Sequence, residues 1–237
     1  MYSLLVVRTA EPSDARPSSD LTARARIRDA AIACFAEEGF TASFRTIAAR
    51  ADVSPGLITH HFASKVALRA ECDAEVLRRY QALKTDSLGD PSGFLVANLS
   101  EPGPAAELTL YMLRAIHAGG RPAQQFLERL VDNARGVMQA SVEAGLVRPS
   151  RDEEARLRLL VHQAMGGLLI QLLIAPEATP ETFGTSVLEL QRAQILPLLE
   201  LYTEGFLATP RMLDDYLAYL GDPPPAEADA QHDERTA

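Results

Sequence analysis

Apolar residues along this chain recur at helical rather than strand spacing. Phe44, Ile47, Ala48 and Ala51 fall at i, i+3, i+4 and i+7, one stripe of an amphipathic helix that Ser43 can cap. Asp52 stands where that helix must stop and turn, and Asp tolerates a left-handed backbone better than most residues other than Gly and Asn. Val53 supplies an apolar plug beneath the turn. Ser54 and Pro55 start a second helix at once, since Ser accepts a bond from a free backbone amide and Pro at the first helical position has no amide to lose. Ile58 and Phe62, four apart, face inward, which leaves Pro55, Gly56, Thr59 and His60 outward. Upstream, Thr22 to Glu38 carries Ile27, Ala31, Cys34 and Phe35 on one face and ends at Gly39; downstream, Ser64 caps a helix beginning at Lys65.

Beyond Leu83 the periodicity continues. Asp86 to Gly93 has the Gly and Pro of a linker, and a short helix through Asn98 precedes a break at Pro102 to Pro104. Ala105 to His117 is apolar nearly all round and should be buried; it ends at Gly119 and Gly120. Pro122 opens a long helix carrying Phe126, Leu130, Val137, Met138 and Ser141, which Gly145 closes. Ser150 and Glu153 form a capping box for a helix that continues to Ile174. A further helix runs from about Ser186 to Phe206 with Pro197 as a kink, and Thr209 and Pro210 begin the last one. The pattern predicts an all-α chain: a disordered arm over 1–20, a three-helix helix-turn-helix domain over 21–67, a larger helical domain over 68–220 and a disordered tail over 221–237.

Two short helices across a tight turn make a helix-turn-helix, a shape that fits a DNA groove. Gly56, without a side chain, lets the second helix approach a nucleic-acid backbone closely, and Lys65 beside free amides offers a place for a phosphate. The whole chain is acidic, with a net charge of -9, which by itself argues against nonspecific affinity for nucleic acid. Divided along the chain, the charge reads differently: from Leu21 to Arg69, seven cations stand against four acids. A basic block on an acidic body fits a reader of one short site that uses few phosphate contacts. Arg24, Arg26 and Arg28 in that block are mostly solvated surface, with no more than one expected to touch phosphate.

The run ending in FAEEGF, followed by IAARADVSPG and LITHHFASKVAL, resembles the DNA-binding domain of TetR/AcrR-type transcriptional regulators over roughly Leu21 to Leu83. The resemblance implies that the third helix enters the major groove of a double-stranded DNA operator. It places Thr22 and Arg45 near helix starts that touch bases or phosphate, puts Ser54, Pro55, Gly56, Thr59 and His60 on the recognition helix, and has His61 and Lys65 holding phosphate. Such regulators usually carry Gly at the position of Asp52 and Tyr at that of Thr59; here Thr59 offers a hydroxyl or methyl instead.

One recognition helix reads too few base pairs, so two copies about one helical turn apart are required and a palindromic site follows. The helices near 151–174 and 186–206 are the expected homodimer interface, since Gly166 and Gly167 permit close packing and the Leu and Ile beyond them exceed what one helical layer hides. Met112, His117, Phe126, Met138, His162 and Met165 are the candidates for a pocket that takes an unidentified small-molecule effector. No cofactor is expected. No Cys, His and carboxylate cluster has metal spacing, and no phosphate loop, nucleophile elbow or catalytic pair points to an enzyme. His60 and His61 are expected on opposite sides of their helix, without a nucleophile nearby. Cys34 and Cys72 read as core residues; a redox sensor would need at least one thiol exposed and acidic. The run 164–175 is too short to span a membrane, Ser3 to Val7 is too short for a secretory core, and the chain is expected to be cytoplasmic. The expected function is a ligand-responsive repressor that releases its operator on binding the effector, and the alternative is a helical small-molecule binding protein whose hairpin has lost DNA affinity.

Overall fold

The three helix starts of the predicted hairpin and its flank are each set by a serine cap. The structure, a computed structural model, describes residues 23–86, 99 and 105–221. Helix α1 (Ala23–Glu38) ends in a short 3-10 turn at Gly39–Thr41, and Ser43 then caps α2 (Phe44–Ala51), its Oγ accepting from the Thr46 amide at 3.1 Å. Asp52 ends α2 with φ +53° and ψ +53°, the left-handed conformation expected of it. Ser54 Oγ accepts from the Leu57 amide at 3.3 Å to start α3 (Pro55–His61), and Ser64 Oγ accepts from the Ala67 amide at 3.1 Å to start α4 (Lys65–Asp86). Ile27, Phe35, Ile47, Ile58 and Phe62 meet in the core between these helices, each contributing about 1.5–3 kcal/mol of burial.

The remaining described helices are α5 (Ala106–His117), α6 (Gly120–Glu143), α7 (Glu153–Ile174), α8 (Pro180–Thr203) and α9 (Arg211–Gly221). Among the described residues there is no strand, in keeping with the all-α expectation. The expected line at 67/68 falls inside α4, which runs unbroken to Asp86 while Leu68, Cys72, Val76 and Leu77 pack into the same core as α1. That core continues into α5: the Tyr111 ring lies 6.3 Å from Phe35, 5.4 Å from Phe40 and 6.4 Å from Phe126. Tyr111 also donates to Asp73 at 2.7 Å, and burial raises the pKa of that carboxyl. A hydrophobic core shared by α1, α4, α5 and α6 leaves no physical break at 67/68. The chain instead divides into two compact units at Arg192 and Ala193.

Several expected boundaries shift for local reasons. Asp86 lies within α4 rather than opening a linker; the rest of that linker over 87–93, the short helix through Asn98, just before the described Leu99, the break at 102–104, the arm over 1–20, and all of the tail over 221–237 except Gly221 lie outside the described residues. Helix α6 begins two residues before Pro122, directly after Gly119. At α7 the cap is Asp152, whose Oδ1 accepts from the Ala155 amide at 2.9 Å; Glu153 does reach back to the Ser150 amide at 2.7 Å, so the box survives in half. Helix α8 begins six residues before Ser186, because Thr179 Oγ1 accepts from the Thr182 amide at 3.3 Å and Pro180 takes the first helical position.

Helix α7, 22 residues long, is by length and composition apolar enough to cross a membrane, which the shorter run 164–175 concealed. Its first turns pair with α6 through Arg158 with Glu128 and Glu154 with Arg135, and Leu157, Met165 and Leu172 are buried. Its other face stays open: Leu159, Ile170, Leu173 and Ile174 are exposed, and a side chain at Gly166 or Gly167 would meet nothing within 4 Å. The second unit, taken by itself, exposes Leu196, Leu199 and Tyr202 on the end of α8, and Met212, Tyr216 and Tyr219 on α9.

Candidate nucleic-acid interface

The outward face of α3 carries no packing duty. Pro55, Gly56, Thr59 and His60 are exposed, while Ile58 and Phe62 are buried beneath them. A Cβ added to Gly56 would touch only Ser54 Oγ, at an ordinary 3.9 Å, so the fold does not require glycine there. Thr59 Oγ1 donates to Gly56 O at 2.9 Å, leaving its lone pairs and methyl for an incoming group. Ser54 is engaged as the cap and keeps its hydroxyl proton available. His60 and His61 are not on opposite sides of the helix: their rings meet edge to face at 5.3 Å, since consecutive helical residues stand about 100° apart rather than 180°. His61 is half-buried.

The seven cations of the basic block divide by partner. Arg24 forks onto Glu71 and donates to His61 O at 2.7 Å, with its guanidinium 4.6 Å over the Phe62 ring, so it ties α1 to the end of α3 and to α4. Arg28 pairs with Asp29 at 3.0 Å and lies 3.6 Å from Glu75; Arg50 pairs with Glu37 at 2.5 Å; Arg69 lies 3.7 Å over Phe40 and 3.9 Å from Asp73. Among the described residues, Arg26, Arg45 and Lys65 have no carboxylate within ion-pairing distance. Arg45 is exposed in the first turn of α2, and Lys65, half-buried, opens α4 with its Nζ 6.0 Å from the Phe35 ring. The start of α2, the face of α3 and the start of α4 are held together by one core, with their spare cations beside free helix-start amides. Thr22 lies outside the described residues.

Arg24 was legible only as surface charge, since its partners are 37 and 47 residues away in sequence. The pocket candidates fare differently. Met112, Phe126 and Met165 are buried core, Met138 is half-buried with its Sδ 3.5 Å from Arg156, and His117 and His162 are exposed to solvent, so the six do not converge on a cavity. Close packing of the Met and aromatic side chains explains the first three. A cleft of about 380 Å³ opens instead at the α7–α8 turn, between Ile174, Pro176, Glu177, Thr182, Phe183 and Ser186. Cys34 and Cys72 are buried, and burial pushes both thiols up, which removes the conditions for a redox sensor.

Residues 27–72 match the family model described as bacterial regulatory proteins, tetR family, and residues 104–208 match the Tetracyclin repressor-like C-terminal domain. The HTH-type transcriptional regulatory protein RaaS of Mycobacterium tuberculosis is 39% identical over 203 residues, covering 85% of this chain and 94% of that protein. The chain belongs to the TetR family.

Two crystal structures, one of a TetR-family transcriptional regulator and the other of a transcriptional regulator, share the fold. One, from Rhodococcus sp., superimposes with a TM-score of 0.50 at 21% identity, covering 72% of this chain and 97% of its own. The other, from Rhodococcus sp. RHA1, does so with a TM-score of 0.50 at 18% identity, covering 70% and 93%. As a TetR-family member this chain is a DNA-binding, ligand-responsive transcriptional regulator. Its α2–α3 hairpin is the family's helix-turn-helix, with Asp52 in the turn and Thr59 on the outer face of the second helix.

Proposed function

We propose that this TetR-family regulator is a cytoplasmic repressor that grips a palindromic operator as a two-fold dimer and releases it when a small molecule binds the C-terminal helices. The observation that carries the DNA half is the face of α3: exposed, small or polar, unneeded by the core, and flanked by Arg45 and Lys65 with no acidic partner among the described residues. In this reading α3 lies in the major groove, Gly56 brings the helix start close to the backbone, and Thr59 and His60 meet base edges. Arg45 and Lys65 meet bases or phosphate, and Ser54, Pro55 and His61 complete the footprint. Leu159, Ile170, Leu173 and Ile174 of α7, and the exposed leucines of α8, support a homodimer through these two helices, because a chain in water does not keep that much apolar surface open without a partner.

The cleft at the α7–α8 turn, walled by Ile174, Pro176 and Phe183, supports a small and largely apolar effector; no cofactor is needed. Effector binding must favour one spacing of the two recognition helices over another, or it shifts nothing. The test is a gel shift on the DNA flanking the protein's own gene. Selective, salt-sensitive binding there supports the reading; equal affinity for that DNA and for random duplex sinks it in favour of a binding protein that has lost its operator.

A further inference from the structure

Helix α5 is almost wholly apolar, and the one strong cation that interrupts its buried run is Arg114. Among the described residues no carboxylate lies within ion-pairing distance of it. Its guanidinium addresses four backbone carbonyls instead. Nε donates to Ala36 O at 2.6 Å and Nη2 to Glu37 O at 2.9 Å, in the last turn of α1; Nη2 also reaches Pro176 O at 3.2 Å and Ala178 O at 3.4 Å, in the turn between α7 and α8. The last carbonyls of a helix have no partner inside it and carry the negative end of its dipole, and α1 has no basic residue of its own in its final turn. Arg114 supplies that charge from a different helix. The planar fork of a guanidinium can address several acceptors at once, which a lysine cannot do. One side chain therefore fastens the DNA-reading helices, through α1, to the turn that joins α7 and α8.

That turn belongs to the hairpin proposed above as the dimer interface, and the following rests on that dimer reading. In a two-fold reader the separation of the two recognition helices is fixed by how each reading domain is attached to the dimer helices, and the half-sites must match that separation to within a fraction of a turn. We propose that Arg114 is a positioning residue for operator recognition: by bonding the end of α1 and the α7–α8 turn together, it sets the half-site spacing that the dimer accepts. It touches no base and no phosphate. Its loss leaves each recognition helix intact and frees the angle between reading domain and dimer.

The experiment uses the full chain with Arg114→Ala and Arg114→Gln. The glutamine keeps a donor for the α1 carbonyls but is too short to reach the α7–α8 turn as well, so it guards against failure of the alanine variant to fold. The probes are the duplex that wild-type protein enriches from a randomised pool, the same half-sites with the spacer changed by one and two base pairs, and one isolated half-site. Wild type should prefer one spacer. Both variants should lose about tenfold on that spacer, the scale of one or two lost hydrogen bonds, change little on the others and keep wild-type affinity for the half-site, so that the preference flattens. An equal loss on every duplex, half-site included, would overturn the proposal, and so would an unchanged spacer profile in a folded Arg114→Gln protein. Light scattering separates the two layers: a monomeric wild type sinks the dimer reading and this inference together, whereas a dimer with an unaltered variant profile sinks the inference alone.

Discussion

Replacing Glu75 by Gln should loosen the staple between α1 and α4 that supports the recognition hairpin. Glu75 accepts from Arg78 at 2.9 and 2.8 Å and from Arg79 at 2.7 Å, and Arg28 lies 3.6 Å away; Arg79 also reaches Asp29 of α1 at 2.5 Å. The Arg78 hydrogen bonds, with help from Arg79 and Arg28 and against the cost of burial, hold the Glu75 carboxyl down to about 2 from an ordinary 4.5. Taken at face value that difference is about 3.4 kcal/mol of native-state stability at neutral pH. Arg78 is 55% exposed, so solvent screening reduces the expected loss to about 1–3 kcal/mol. The sign follows from the direction of the shift: a lowered carboxyl stabilises the fold fully above its unfolded pKa and loses that contribution as pH falls toward 2. Urea melts of wild type and Glu75→Gln at pH 7 and pH 3 check this. The gap between the two proteins should shrink by more than half at pH 3, because only about 1.4 of the 3.4 kcal/mol survives there. A gap that is equal at both pH values, or larger at pH 3, refutes the reasoning.

Three further outcomes follow from the interface. Arg45→Ala should weaken binding to the selected duplex by about 1–3 kcal/mol and relax preference at one base pair, measured by competition titration; an equal loss on random DNA would assign Arg45 to phosphate alone. Gly56→Ala meets no clash within the protein and gains helix propensity, so it should be slightly more stable, by about 0.5 kcal/mol, yet bind DNA several-fold more weakly; undiminished binding would show that the backbone of α3 does not approach the duplex. Ile170→Glu combined with Leu173→Glu places charge on the open face of α7 and should give a folded monomer by light scattering, with affinity for the two-half-site duplex reduced to that for a single half-site; a persisting dimer would move the interface elsewhere.

The reading hairpin was legible from residue order because local chemistry fixes it. Ser43, Asp52, Ser54, Pro55 and Ser64 act on backbone groups one to four residues away, and each performs the expected job. Two start signals compete ahead of α8: Thr179 and Pro180 are as good a helix start as Ser54 and Pro55, and they put its first turn six residues before Ser186. Long-range organisation was not legible. Nothing near Leu68 says that α4 stays in the core of α1, and nothing near Arg114 says that its guanidinium will meet carbonyls 62 to 78 residues away. The pocket residues failed for a related reason. Met112, Phe126 and Met165 have the chemistry of a cavity lining and also that of a core, and only packing distinguishes the two. The N-terminal block carries a net charge of +3, seven cations less four acids, yet most of its arginines bind the protein itself, which leaves a smaller set of cations for DNA than the residue order suggests.

That smaller set gives the most direct test of the account. Wild-type protein should be offered a pool of randomised duplexes, the enriched sequence read out, and its binding constant measured across a salt series. The account predicts a two-fold symmetric site with half-sites about one helical turn apart, and a plot of log affinity against log salt with a slope of about -5, the value expected from Arg26, Arg45 and Lys65, the cations of the reading block without a carboxylate partner among the described residues, in each of two protomers. Enrichment of no sequence, or binding whose affinity is the same for the enriched duplex and a random one, would contradict it.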